Sequence, residues 1–159
     1  MEYNELMQGF AARFGVANID TGNGAAALEI DGMSVGFIHD AETDEIMVVA
    51  EIGFPPPDAD GPFGSMMLKA NFLYSGTGGA MICQNPETGA YAVMRSYQLA
   101  QFDVETFTKA VEALINTAER WKDIVSGAGF AEDEKSAKDA ETSEDASRFG
   151  GAFGGFMQV

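Results

Sequence analysis

Apolar positions near the start of the chain recur every three or four residues: Tyr3, Leu6, Met7, Phe10, Ala11 and Phe14. That spacing places them on one stripe of an amphipathic helix, and Gly15 can end it in a left-handed conformation. The period then falls to two. Ala26 to Ile30 and Met33 to His39 flank the pair Asp31-Gly32, which predicts a β-hairpin with a two-residue turn. A polar loop, Asp40 to Asp44, leads into Glu45 to Ile52, apolar at successive positions. Such a strand is expected at the centre of a sheet, covered on each side.

Pro55 to Pro62, with three consecutive prolines at its start, predicts a stiff extended linker. From Phe63 to Ser75 the chain is apolar almost throughout, which predicts a short helix buried on most of its sides. Two further runs, Ala80 to Gln84 and Tyr91 to Tyr97, flank Asn85-Pro-Glu-Thr-Gly89 as a second hairpin with a longer loop. Asp103 can then cap a long helix whose apolar positions Phe107, Val111, Leu114, Ala118, Trp121 and Val125 follow a 4,3,4,3,4 spacing. The predicted order is α-β-β-β-α-β-β-α, an α+β fold with a twisted, largely antiparallel sheet packed by helices.

Charge divides the chain. Residues 1–130 hold 18 acids and 6 bases, and residues 131–148 hold 7 acids and 3 bases with almost nothing to bury. The expected organisation is a folded domain over 1–125, an acidic polar linker over 126–148 that stays flexible, and a Gly/Phe-rich segment over 149–159. The net charge of −16 repels phosphate backbones and anionic lipid, so nucleic acid and membrane surfaces are poor partners. Residues 1–5 lack the basic region of a secretory signal, and no apolar run approaches the ~20 residues of a bilayer span. The expected location is the cytoplasm.

Candidate chemistry is sparse. One Cys and one His exclude an intrachain disulfide and most zinc sites. Gly76-Thr-Gly-Gly79 follows a helix and carries no Lys, so a tight helix-to-strand turn explains it better than a phosphate cradle. The cluster Asp40, Glu42, Asp44 and Glu45 lacks the spacing of a calcium loop and suits a solvated turn. Cys83 sits in an apolar run where a thiol acts as a small hydrophobe, and a nucleophilic dyad would require His39 to meet it across the sheet. No catalytic residue, metal ligand or cofactor site emerges. What remains unusual is apolar excess, with 9 Met and 12 Phe. That excess suits an association surface for a second copy and a peptide, and a Met-rich core accounts for it equally well.

The element order, the helix Met66-Met-Leu-Lys-Ala-Asn71-Phe-Leu-Tyr-Ser running into Gly76-Thr-Gly-Gly-Ala80, the Asn85-Pro-Glu-Thr-Gly hairpin and the helix ending in Ala118-Glu-Arg-Trp121 together resemble the Tir-chaperone (CesT-like) family of class I type III secretion chaperones. The resemblance covers residues 1–125. It implies a bacterial, cytoplasmic, acidic homodimer without enzymatic activity or cofactor. Such a protein binds the extended N-terminal segment of a secreted effector, keeps it secretion-competent and hands it to the secretion ATPase. The resemblance assigns the dimer contact to Met67, Phe72 and Leu73, with Met81 and Val93 behind them. It assigns effector binding to the first helix and first three strands, for which Phe10, Leu28, Phe37 and Met47 are the candidates. The segment 149–159 departs from the family pattern, and Phe149, Phe153, Phe156 and Met157 are candidates for a self-plug that occupies the effector groove. A YbjN-like regulatory domain, with a similar α/β organisation and a folded client, is the alternative.

Overall fold

Asp31 and Gly32 adopt left-handed backbone, with φ of 52° and 72°, the conformation that a tight hairpin with the natural strand twist demands. They join β1 (Ala25–Ile30) to β2 (Met33–Asp40), with Ile30 opposite Met33. The computed structural model describes residues 1–57 and 60–127. Around that hairpin it sets α1 (Tyr3–Arg13), β3 (Glu45–Gly53), α2 (Asp60–Asn71), β4 (Met81–Gln84), β5 (Tyr91–Gln98) and α3 (Val104–Val125). The five strands run β1-β2-β3-β5-β4, and every neighbouring pair is antiparallel.

One face of this sheet makes the core. Val35, Phe37, Ile46, Val48, Ala50 and Val93 point to the helices and are buried with Leu6, Met7 and Phe10 of α1 and Phe107 and Val111 of α3. Phe10 packs edge-on against Phe37 and Phe107, with ring centroids 5.2 and 5.4 Å apart. The two helices approach closely because residue 9 is glycine. A Cβ there would stand 2.6 Å from Val104 Cγ2. All six apolar positions of the 4,3,4,3,4 pattern in α3 are buried. Asp103 caps that helix: its Oδ1 accepts from Thr106 N at 2.8 Å, and its own N–H donates to Thr106 Oγ1 at 3.1 Å.

Three expectations change. β3 is central, but only one of its faces is covered: Ile46, Val48, Ala50 and Ile52 are buried while Met47 and Val49 are half-buried and Glu51 is exposed. The three helices of the described residues lie on one side of the sheet, so among those residues nothing forms a layer over its other face. The proline-rich linker is shorter than expected, because α2 begins at Asp60 and takes Pro62 into its first turn. Proline is tolerated there, since first-turn N–H groups have no partner inside the helix. Finally, α2 is not buried on most sides. Phe63 anchors it against Tyr91 and Trp121, at 4.6 and 6.2 Å between centroids, but Leu68 is 71% exposed.

Candidate functional site

Side chains alternate between faces along a strand, and residues paired across antiparallel strands share a face. The register therefore defines the uncovered side of the sheet. Ile38 pairs with Met47, Val49 with Met94, Met94 with Met81, and Ala92 with Cys83, all on this face. Ile38 is 54% and Met81 48% exposed. Toward β1 the same face is floored by small residues, Ala25, Ala27 and Gly36. A hollow of about 560 Å³ opens over Ile38, Val49, Cys83 and Met94, with Glu51 and Glu87 at its rim. This is an apolar floor with an acidic lip.

The two edges of the sheet are not equivalent. At β4, Asn71 at the end of α2 turns its side-chain amide onto the backbone of Ile82: Nδ2 donates to Ile82 O at 3.0 Å, and Oδ1 accepts from Ile82 N at 2.9 Å. That mimics one rung of a ladder and closes the edge. At β1 no strand lies outside among the described residues. Because the hairpin is of the two-residue kind, Ile30, Leu28 and Ala26 bond inward to β2, and the backbone groups of Glu29, Ala27 and Ala25 face outward. β1 is the edge open to an added strand.

A second apolar surface follows α2. The helix stops at Asn71 and gives way to a 3-10 turn, Phe72–Tyr74, in which Leu73 and Tyr74 take positive φ of 53° and 55°. Left-handed backbone at Leu and Tyr is strained. The turn holds Phe72, Leu73 and Tyr74 out at 61, 69 and 52% exposure. The chain recovers through Gly76-Thr-Gly-Gly79, where Gly76 N–H donates to Ala70 O at 3.1 Å and Trp121 Nε1 donates to Gly76 O at 3.1 Å. The glycine run is a helix-to-strand turn.

The sequence candidates divide accordingly. Met47 lies on the open face and Leu28, half-buried, packs against the core. Phe10 and Phe37 have no accessible surface and fill the centre of the core, so neither touches a partner in this conformation. Met67, half-buried, and the exposed Phe72, Leu73 and Met81 fall on the α2 side, whereas Val93 faces the helices and is fully buried. Phe149, Phe153, Phe156 and Met157 lie outside the described residues. Missing from the candidates are Ile38, Met94 and Asn71. The signal for Ile38 was available, since it breaks the polar phase of Ser34 and Gly36 in a strand whose other phase is wholly apolar.

Cys83 and His39 do not meet. They lie on β4 and β2, with β5 and β3 between them, and on opposite faces. Burial pushes the Cys83 thiol above its ordinary pKa, and its Sγ lies 3.1 Å from Met94 Sδ. His39 instead stacks on Tyr3, with centroids 4.8 Å apart, and its Nε2 lies 3.2 Å from Asp44 Oδ1. Among the described residues no three His, Cys, Asp or Glu side chains converge on a metal position.

The model of the Tir chaperone protein (CesT) family matches residues 5–122. No curated protein sequence matches the chain. Among solved structures, a chain of the HopA1–SchA chaperone–effector complex is similar at 15% identity and a TM-score of 0.64, covering 76% of this chain and 93% of that one. A chain of the ExsC–ExsE complex is similar at 20% identity and a TM-score of 0.64, with coverages of 77% and 92%. A third likeness is to the Yersinia pestis type III secretion chaperone SycH in complex with a fragment of YscM2, at 16% identity and a TM-score of 0.58, covering 75% and 98%. These likenesses are of fold.

Proposed function

The chain belongs to the Tir chaperone protein (CesT) family, and from that premise we propose that it is a type III secretion chaperone, which binds the extended N-terminal segment of a secreted effector, keeps it secretion-competent and delivers it to the export machinery. The observation that carries this reading to particular atoms is the asymmetry of the sheet, with its β4 edge closed by Asn71, its β1 edge open and one face uncovered. An extended segment laid along β1 satisfies its own backbone groups on Ala25, Ala27 and Glu29. Its alternate side chains then enter the space above Ala25, Ala27 and Gly36, a shelf low enough to take large groups of varied shape. Sequence tolerance follows, because most of the contact is backbone and adaptable apolar surface.

The working unit is a homodimer, paired through Met67, Phe72, Leu73 and Met81 on the α2 side. The exposure of Phe72, Leu73 and Met81 supports this, since isolated domains rarely hold so many large apolar groups in water. The chain acts in the bacterial cytoplasm as a binding protein without catalysis. No helix among the described residues is long and apolar enough to cross a membrane. Its net charge of −16 favours basic effector segments and an association that weakens with salt.

The test is capture from the native host with the full chain as bait, followed by identification of the bound segment. The N-terminal region of a secreted protein is expected, and Ala27→Pro, which removes one outward donor while sparing the bonds to β2, is expected to lower capture about tenfold. Recovery of only a folded client, or capture indifferent to Ala27→Pro, overturns this reading.

A further inference from the structure

Among the described residues no helix lies above the hollow over Ile38, Val49, Cys83 and Met94, and a chain of contacts links Gly127 to the loop at its rim. Gly127, just beyond α3, lies against the ring of Pro56: a Cβ built on it would come within 3.8 Å of Pro56 Cγ. Two residues earlier, Phe54 is 59% exposed and its Cε1 stands 3.9 Å from a Cβ built on Gly89. Gly89 closes the loop whose Pro86 and Glu87 form the lip of the hollow. A further 32 residues follow Gly127 in the sequence; Phe130 comes three positions on, and Phe149, the first phenylalanine beyond the acidic stretch 131–148, is 22 positions on. A polar chain of that length has a root-mean-square span of about 25 Å. The hollow is therefore within reach of residues 149–159 of the same chain.

Charge selects which part of that stretch can enter. Residues 131–148 carry 7 acids against 3 bases, and Glu51 and Glu87 at the lip repel them. Residues 149–159 have no charged side chain and present Phe149, Phe153, Phe156 and Met157 among glycines that allow close approach of the backbone. The floor offers the thioether of Met94 and the thiol of Cys83, groups that pack well against aromatic rings. We propose that residues 149–159 dock in cis into this hollow and cover the open face of the sheet in the unloaded protein. Tethering supplies an effective concentration in the millimolar range, so weak contacts suffice and an incoming chain must displace them. The proposal stands on the hollow and on the reach of residues 149–159 from Gly127, and does not require that the cargo be an effector.

Cys83 is the only cysteine in the chain and lies on the floor of the hollow, so it reports occupancy. The experiment compares the rate at which an aryl disulfide reagent modifies Cys83 in the full chain and in the full-length triple variant F149S/F153S/F156S, whose substitutions lie outside the described residues. The variant is expected to react about tenfold faster. A synthetic peptide of residues 149–159 added to the variant is expected to restore protection, and the rate in the unaltered chain is expected not to change on dilution. Equal rates in the two chains overturn the proposal, and so does protection that fades on dilution, which would mean that a second copy covers the hollow.

Discussion

Asp103 shows how one residue marks an element in advance and ties it to pH. Its carboxylate accepts from the Thr106 backbone N–H at 2.8 Å and from the Thr106 hydroxyl at 2.7 Å. Those bonds, the backbone one foremost, hold its pKa below the ordinary value, because they favour the ionised form. A carboxylate whose folded pKa is depressed adds stability above its unfolded pKa, near 4, and that contribution is lost as pH falls through the folded value. Asp103→Ala is therefore expected to melt at a lower temperature than the parent at neutral pH. The gap should narrow in thermal melts taken at successively lower pH below about 4. A constant gap would mean that the carboxylate charge contributes nothing. Capping residues of this kind were legible in the sequence because their partners lie three residues away. Phe10 and Phe37 were not assignable in that way. Their spacing places them on a helix stripe and a strand face, but whether that stripe meets core or partner depends on segments far along the chain.

At the scale of the element, the edge strands carry the clearest lesson. β4 has only four residues and would be a poor edge by itself, yet Asn71 completes the rung at Ile82 with two hydrogen bonds. Removing that amide leaves a part-buried donor and acceptor without their partners. Asn71→Ala is expected to destabilise the domain by about 1–3 kcal/mol in urea titrations. It also opens the β4 edge, so the variant should self-associate more readily in light scattering at equal concentration. Unchanged stability and unchanged scattering would remove Asn71 from this role. The hairpin at Asp31-Gly32 and the long helix after Asp103 were legible because short-range pattern dictates them. The end of α2 was not: the apolar run continues to Ser75, but the helix stops at Asn71 so that Asn71 can reach β4, and the next residues adopt strained backbone.

For the molecule as a whole, the consequence is a domain finished on one side. Three helices cover one face of a five-stranded sheet, and among the described residues exposed apolar side chains remain on the other face, along α2 and the Phe72–Tyr74 turn, and at Met1 and Phe54. If that turn joins two copies, Leu73→Asp is expected to weaken self-association at least about thirtyfold in sedimentation equilibrium, the scale of losing one anchoring side chain. Its circular dichroism should stay as in the parent, since Leu73 is 69% exposed. A variant that still pairs as tightly as the parent would move the interface elsewhere. The sequence by itself determined the order of the elements, the two hairpins, the long capped helix and the acidic balance, because each depends on residue type and on partners a few positions away. Only the tertiary structure decided that β3 is covered on one side, that α2 is exposed on much of its surface, that Cys83 and His39 stand apart, and which edge of the sheet is open. Those outcomes depend on which faces and edges distant segments occupy, and local spacing along a chain carries no record of that.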